Sequence, residues 1–243
     1  MRPCLIQETA GSPKFGLGGN GTVLMSEFAT VRHNMVECQL RTNKVTNRRL
    51  IDAMDDVPRE RFVPKQLAGV AYIDEDLMVA PGRYLMEPLV LARLLQAATV
   101  TEQDVALDVG CGTGYASAVL GRLAGTVVGL EPDEVLAVQA SQTLSFVGAD
   151  NVIVVSGGLA EGYSRQGPYD VILLNGGVPF VPPSLIDQLA EGGRMVAVVR
   201  GASEAIGRAT LWVRLHGEIS HRVLFDAAVS PLPGIKIKPA FEF

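Results

Sequence analysis

The stretch that most constrains this 243-residue chain is Val105–Pro132, VALDVGCGTGYASAVLGRLAGTVVGLEP. Val105–Val109 is a short, β-branched apolar run, the pattern of a buried strand. Gly110-Cys111-Gly112-Thr113-Gly114 then places glycine at every second position, and Ala116, Val119, Leu120 and Leu123 follow at helical spacing. Gly125 is expected to end that helix. Thr126–Leu130 reads as a second buried strand with Glu131 at its end. The stretch is a βαβ unit whose loop opens onto a helix N-terminus.

The details of the loop select a ligand. Tyr115 follows Gly114, so the spacing is G-x-G-x-G and not the dinucleotide pattern G-x-G-x-x-G; no Lys-Ser/Thr pair follows, which excludes a P-loop. Asp108 stands just before the glycines, where a pyrophosphate would meet like-charge repulsion and a cationic amine would be favoured. S-adenosylmethionine carries an amine and a sulfonium and no phosphate. Glu131 would then accept charge-assisted hydrogen bonds from both ribose hydroxyls. The expected cofactor contacts in this unit are Asp108, Gly110, Cys111, Gly112, Gly114, Glu131 and Pro132. The competing reading is an ordinary βα turn with incidental glycines; two acids in strand–helix–strand context weigh against it.

Composition limits the alternatives. A formal net charge of −5 argues against broad binding to nucleic acid or anionic membranes. Cys4, Cys38 and Cys111 are odd in number and scattered, which suits a reducing compartment. No metal-ligand spacing links them to His33, His216 or His221, so no metal is expected. Arg93 interrupts Leu89–Val100, and no apolar run reaches the ~18 residues of a spanning helix. The N-terminus lacks a continuous apolar signal core, and the resulting expectation is a cytoplasmic protein. The glycine-rich, aperiodic residues 1–24 read as a disordered extension before one domain spanning 25–243, with Met25 a plausible true start.

In chain order, Glu27–Leu40 is helical in pattern with Val31, Met35 and Leu40 apolar, and Asn47–Met54 forms a second helix. A loop-rich segment leads to Pro88, which favours a helix start continuing through Leu89–Ala98. Val135–Leu144 reads as a helix and Asn151–Val155 as a strand. Tyr169–Leu174 reads as a strand ending at Asn175-Gly176-Gly177, beside the ligand, since open α/β sheets bind at the carboxyl ends of their strands. A simple turn residue is an equal reading of Asn175. Ser184–Ala190 is expected as a helix capped by Gly192 and Gly193, leading into strand Met195–Val199. Ala209–Leu215 and Glu218–Phe225 flank His216-Gly217 as an antiparallel hairpin, and Gly234–Phe243 suggests an edge strand or docking tail.

The chain resembles the protein-L-isoaspartate O-methyltransferases. Their R-x-x-M-V-x-x-Q-L helix is matched by Arg32, Met35, Val36, Gln39 and Leu40, their V-P-R-E-x-F-V-P segment by Val57–Pro64, and their A-Y-x-D element by Ala71, Tyr72 and Asp74. Tyr115 and Ala118 after the loop, Pro168-Tyr169-Asp170, and Gln188–Gly193 extend the match from about Arg32 to Val199. The resemblance implies an α/β fold: a doubly wound, mostly parallel, Rossmann-like class I methyltransferase sheet, with an N-terminal helical extension and the C-terminal antiparallel hairpin. It implies S-adenosylmethionine as cofactor and isoaspartyl carboxylates of damaged proteins as acceptors.

Two positions depart from the family pattern. Gly82–Pro88 aligns with G-Q-T-I-S-Q-P, so Met86 replaces the serine at the acceptor junction, and a thioether donates no hydrogen bond. The family's G-D-G turn, whose aspartate faces the adenine, aligns with Gly157-Gly158-Leu159; Gly158 offers no acid, and Glu161 is the nearby substitute. Tyr84 and Met86 are the expected acceptor-site residues, and Gly158, Leu159 and Asn175 complete the expected cofactor contacts. Three readings follow: a repair-type carboxyl methyltransferase, a methyltransferase with a different protein or small-molecule acceptor, and a cofactor-binding relative without turnover. Arg83, Tyr84 and Met86 favour the second, because they make the entrance bulkier, more cationic and more apolar; Arg83 can pair with an acidic substrate, but a solvated surface arginine is the stronger reading of that residue alone.

Overall fold

A helical lead-in, a short hairpin and a seven-stranded sheet follow one another along the computed structural model, which describes residues 21–201 and 204–236. Helix α1 (Gly21–Met35) continues into a π turn over Val36–Leu40 and a 3-10 turn over Arg41–Asn43. The expected boundary at Met25 therefore falls inside α1, while residues 1–20 lie outside the described residues. Met35 and Leu40 are buried as the spacing predicts, but Val31 is exposed. Asn47 caps α2 (Arg48–Asp56) by accepting from the Leu50 N–H at 3.1 Å, and Val57, held extended before Pro58, ends it.

Strands β1 (Leu77–Ala80) and β2 (Arg83–Leu85) pair antiparallel just before α3 (Pro88–Ala98), which starts on proline as expected. Next come β3 (Val105–Val109), α4 (Tyr115–Gly121), β4 (Thr126–Glu131), α5 (Glu134–Phe146) and β5 (Val152–Ser156). The predicted βαβ unit is present, with one correction: α4 ends at Gly121, not Gly125. Gly125 instead turns into β4, where a Cβ would stand 2.6 Å from the Glu102 carbonyl. The chain closes with β6 (Tyr169–Val178), α6 (Pro183–Asp187), β7 (Leu189–Val199), β8 (Gly207–Leu215) and β9 (Glu218–Ala227).

The sheet order is β5-β4-β3-β6-β7-β8-β9; β5 to β7 run parallel, and β8 and β9 form the expected antiparallel hairpin. Alternate residues feed two layers. Ala106, Val127 and Val171 join the helical layer of α2, α3 and α4, while Leu107, Val109, Val128 and Ile172 pack with Leu159, Leu185, Leu232 and Ile235 on the other face.

Two further expectations are corrected. β6 does not stop at Leu174 but runs through Asn175-Gly176-Gly177, because after a bulge Gly177 and Val178 pair again with Val198 and Val199 of β7. Gly177 also bonds to a segment more than fifty residues later: its N–H donates to Ser230 O (2.8 Å) and its carbonyl accepts from Leu232 N–H (2.7 Å). The helix expected over Ser184–Ala190 is only Pro183–Asp187. Leu189–Gly193 belongs to β7, since Leu189 pairs with Tyr169. Of the expected tail, Gly234–Lys236 forms no regular element and the rest lies outside the described residues.

Arg194 joins the layers at the end opposite the glycine loop. It donates to the carbonyls of Ala98 (2.9 Å), Thr99 (3.0 Å) and Asp170 (3.2 Å) and pairs with Asp104 at 2.6 Å. Burial pushes the Asp104 carboxyl up, but Arg194 and the Thr101 N–H outweigh it and hold it below its usual range. Arg194→Met should cost ~2–4 kcal/mol in urea unfolding at neutral pH. The contribution of a depressed carboxyl is present above its unfolded pKa and lost as pH falls through the folded one. The gap between the two proteins should therefore narrow in acid.

Candidate functional site

The strand order reverses between β3 and β6, so their carboxyl ends part there and leave the crevice where open α/β sheets bind ligands. The glycine loop forms one wall. Gly110 (φ 82°) and Gly112 (φ 57°) take left-handed conformations that side chains disfavour, and the N–H groups of Gly110 and Cys111 both donate to Leu130 O, at 2.8 and 3.1 Å. Gly114 leads into α4, whose first residue, Tyr115, is fully buried.

Two buried carboxylates face this loop. Asp108 accepts from the Ser117 hydroxyl on Oδ2 at 2.6 Å, while Oδ1 has no partner among the described residues. Burial pushes the Asp108 carboxyl up to about 6, against the pull of Ser117 and the neighbouring Asn175. Glu131 is equally buried. Its Oε2 accepts from Gly112 N–H (2.8 Å) and from the Arg83 guanidinium, and its Oε1 from Asp133 N–H (3.2 Å). Pro132 beyond it is exposed.

The β1–β2 hairpin supplies the opposite wall. Met86 is buried, and its carbonyl accepts from Arg59 Nη2 at 2.7 Å; Arg59 also donates to Ala71 O at 2.6 Å and lies over the Tyr115 ring, 4.7 Å from its centroid. One fully buried arginine thus ties the acceptor loop to the helix that follows the glycines. Tyr84 is part-exposed at the mouth. Asp76 accepts from Glu87 N–H (2.8 Å) and from Ser230 N–H (2.6 Å), joining the loop to the C-terminal segment Val229–Leu232. Burial, with Asp74 and Asp76 beside it, pushes the Glu87 carboxyl up to about 7. Leu232 packs on Gly110 where a Cβ would stand. The remaining cavity, lined by Asp76, Arg83, Tyr84, Met86, Asn175 and the Val229–Leu232 segment, is about 10 Å³, room for about one water.

Gly158 is exposed and Leu159 buried after β5, and the Glu161 carboxylate lies directly against Gly158, so an acid does stand at that turn. The donor set fits S-adenosylmethionine: an orphaned buried oxygen on Asp108 for a cationic amine, a carboxylate on Glu131 for a diol, and an acid beside Gly158. Ser117, Arg59, Asp76 and the Leu232 segment were not singled out for the site from sequence. Ser117 and Arg59 lie in recognisable motifs, but nothing local marks Leu232, which arrives through tertiary contact alone. Among the described residues no group of three or more His, Cys, Asp or Glu is placed to hold a metal. Nor, among the described residues, is any helix long and apolar enough to cross a membrane.

Sheet order, glycine loop and buried acids together define a Rossmann-like, S-adenosylmethionine-dependent methyltransferase. The chain belongs to the protein-L-isoaspartate(D-aspartate) O-methyltransferase family, whose model it matches over residues 31–225. It is 39% identical over 211 residues to the protein-L-isoaspartate O-methyltransferase of Koribacter versatilis, covering 86% of this chain and 94% of that protein. With the Synechococcus enzyme of the same name it shares 41% identity over 172 residues, 71% of this chain and 70% of that one. A solved protein-L-isoaspartate O-methyltransferase superposes with a TM-score of 0.73 at 25% identity, over 84% of this chain and 66% of that chain. A Plasmodium falciparum structure, described as such an enzyme in complex with S-adenosyl-L-homocysteine, shares the fold at TM-score 0.72 and 19% identity, over 84% and 98% of the two chains.

The burial that pushes the Asp108 carboxyl up is a cost of the site to the fold. An acid raised by burial destabilises the native state while ionised, and the penalty vanishes once pH falls below its unfolded value. Asp108→Asn should raise unfolding stability by ~2–3 kcal/mol at neutral pH, with the gain fading by about pH 4, as denaturant titrations across pH would read.

Proposed function

We propose that this chain transfers a methyl group from S-adenosylmethionine to isoaspartyl carboxylates of proteins and peptides. The observation that supports the reading most is the Asp108 oxygen left unpartnered beside the glycine loop, in a family frame that spans most of the chain. In this reading Asp108 and Glu131 hold the amine and ribose ends of the cofactor. Gly110, Cys111, Gly112 and Gly114 form its bed, and Pro132, Gly158, Leu159 and Asn175 border the adenosyl group with Glu161 as the adenine-side acid. When bound, the cofactor supplies an electrophilic methyl group. The acceptor carboxylate is already ionised at neutral pH, so no residue need act as general base. What the chain contributes is alignment and exclusion of water, which can supply ~7–11 kcal/mol in favourable cases. Tyr84 and the backbone around buried Met86 line the acceptor side.

The second reading, a small-molecule or different carboxylate acceptor, is favoured by Met86, whose thioether cannot replace a serine's hydrogen bond. A cofactor-binding relative without turnover is the third. We place the protein in the cytoplasm without nucleic-acid or membrane partners, as its charge and cysteines suggest. One domain over residues 25–243 completes the proposal, with the 1–24 stretch dispensable even though its last residues, from Gly21, open α1.

Incubation with labelled cofactor should methylate an isoaspartyl peptide and spare its aspartyl twin. Calorimetry should show S-adenosyl-L-homocysteine binding, weakened by ~1.5–3 kcal/mol in Asp108→Ala and in Glu131→Ala. Because the ligand's amine needs ionised Asp108, wild-type affinity should fall as pH drops below about 6. Unchanged affinity in both variants would overturn the cofactor assignment, and equal labelling of both peptides the acceptor assignment.

A further inference from the structure

Arg83 does not fit the description of a surface residue or of a purely structural ion-pair partner. Its residue is 7% exposed, its guanidinium pairs with Glu131, and its Nε–H is buried without a hydrogen-bond partner among the described residues. It is the only cation among the residues lining the small cavity beside Met86, and Asp76 lines the same cavity with both carboxylate oxygens already engaged. An anionic acceptor entering there meets Asp76, and near it the half-buried Glu87. Without a counter-cation that approach is repulsive.

The lone pairs of Glu131 add a second constraint. A carboxylate oxygen takes about two hydrogen bonds, and Oε2 already receives Gly112 N–H and Arg83, while Oε1 receives Asp133 N–H. Glu131 cannot accept two ribose hydroxyls across both oxygens while Arg83 keeps its place. Arg83 and the ribose diol compete for one carboxylate.

We propose that Arg83 is the acceptor-binding cation of this enzyme, parked on Glu131 until the cofactor's ribose takes that carboxylate and releases it toward the carboxylate of the acceptor. The inference rests on the carboxyl-methyltransferase reading above and adds to it a residue and an order: cofactor first, acceptor second. It also accounts for Met86, since a charged fork in the cavity makes a neutral hydroxyl donor there dispensable.

The test is calorimetry on the full chain with S-adenosyl-L-homocysteine, then with an isoaspartyl peptide in its presence, for wild type, Arg83→Gln and Arg83→Lys. Arg83→Gln should bind S-adenosyl-L-homocysteine roughly tenfold more tightly, because the competitor for Glu131 is gone. It should bind the peptide ~10–100-fold more weakly, with KM raised by a similar factor, because one charge-assisted contact is lost. Arg83→Lys should keep peptide affinity within a few-fold, and wild type should bind peptide only after S-adenosyl-L-homocysteine. Weaker S-adenosyl-L-homocysteine binding by Arg83→Gln would overturn the proposal by making Arg83 a cofactor ligand. Peptide affinity equal in Arg83→Gln and wild type would overturn it while leaving the carboxyl-methyltransferase reading intact. A wild type that binds S-adenosyl-L-homocysteine but labels no isoaspartyl peptide would overturn both.

Discussion

Two carboxylates buried at the same edge of a parallel sheet are the constraint around which the rest of this structure is arranged. Asp108 and Glu131 come from neighbouring strands, β3 and β4, and both are fully removed from water. Left alone, each would cost several kcal/mol. The fold compensates them unequally. Glu131 receives two backbone N–H groups and a guanidinium, so its charge is well supported. Asp108 receives the Ser117 hydroxyl on one oxygen with Asn175 beside it, and burial outweighs both and raises its pKa. Such a shortfall in a crevice is the signature of a group kept for a ligand.

That asymmetry explains what the sequence could and could not tell. The β3–loop–α4–β4 unit was legible because its signals are local: alternate glycines, an apolar run on each side, and acids at fixed offsets. The starts of α2 and α3 were legible for the same reason, through Asn47 and Pro88. The end of β6 was not. Asn175-Gly176-Gly177 has every local mark of a turn, and it is the pairing of Gly177 with Val198 of β7, together with its bonds to Ser230 and Leu232, that keeps it in the sheet. Likewise Gln188–Gly193 carries helix-ending glycines, yet Leu189 pairs with Tyr169 and draws the segment into β7. Arg83 was visible as a charge near the entrance; that its partner would be Glu131, 48 residues away in sequence, was not.

The departures at Met86 and Gly158 look different once side chains are placed. At Gly158 the missing acid is replaced from three residues on, since Glu161 folds back over the glycine and occupies the space a side chain would need. The sequence motif is lost while the local charge is kept. At Met86 the serine's hydroxyl is gone, and Tyr84 and Ser230 are the hydroxyl-bearing residues among those that line the cavity. What has changed there is the charge brought to the cavity, from a neutral amide in the family pattern to the positive guanidinium of Arg83.

The acceptor wall is held from behind by contacts that join separate parts of the chain. Arg59 grips the Met86 carbonyl and lies over Tyr115, so a shift at the glycine helix is felt at the acceptor loop. Asp76 grips Glu87 N–H with one oxygen and Ser230 N–H with the other, so the acceptor loop and the segment carrying Leu232 are tied through a single side chain. Leu232 in turn rests on Gly110. Opening the crevice by moving any one of these pieces therefore strains the next, and the roughly 10 Å³ left between them is too little for an acceptor side chain. Side-chain motion at Arg83 displaces no backbone, since its departure breaks one ion pair whose place on Glu131 the cofactor's ribose can take, whereas moving the Leu232 segment breaks the bonds to Gly177 and Asp76 together.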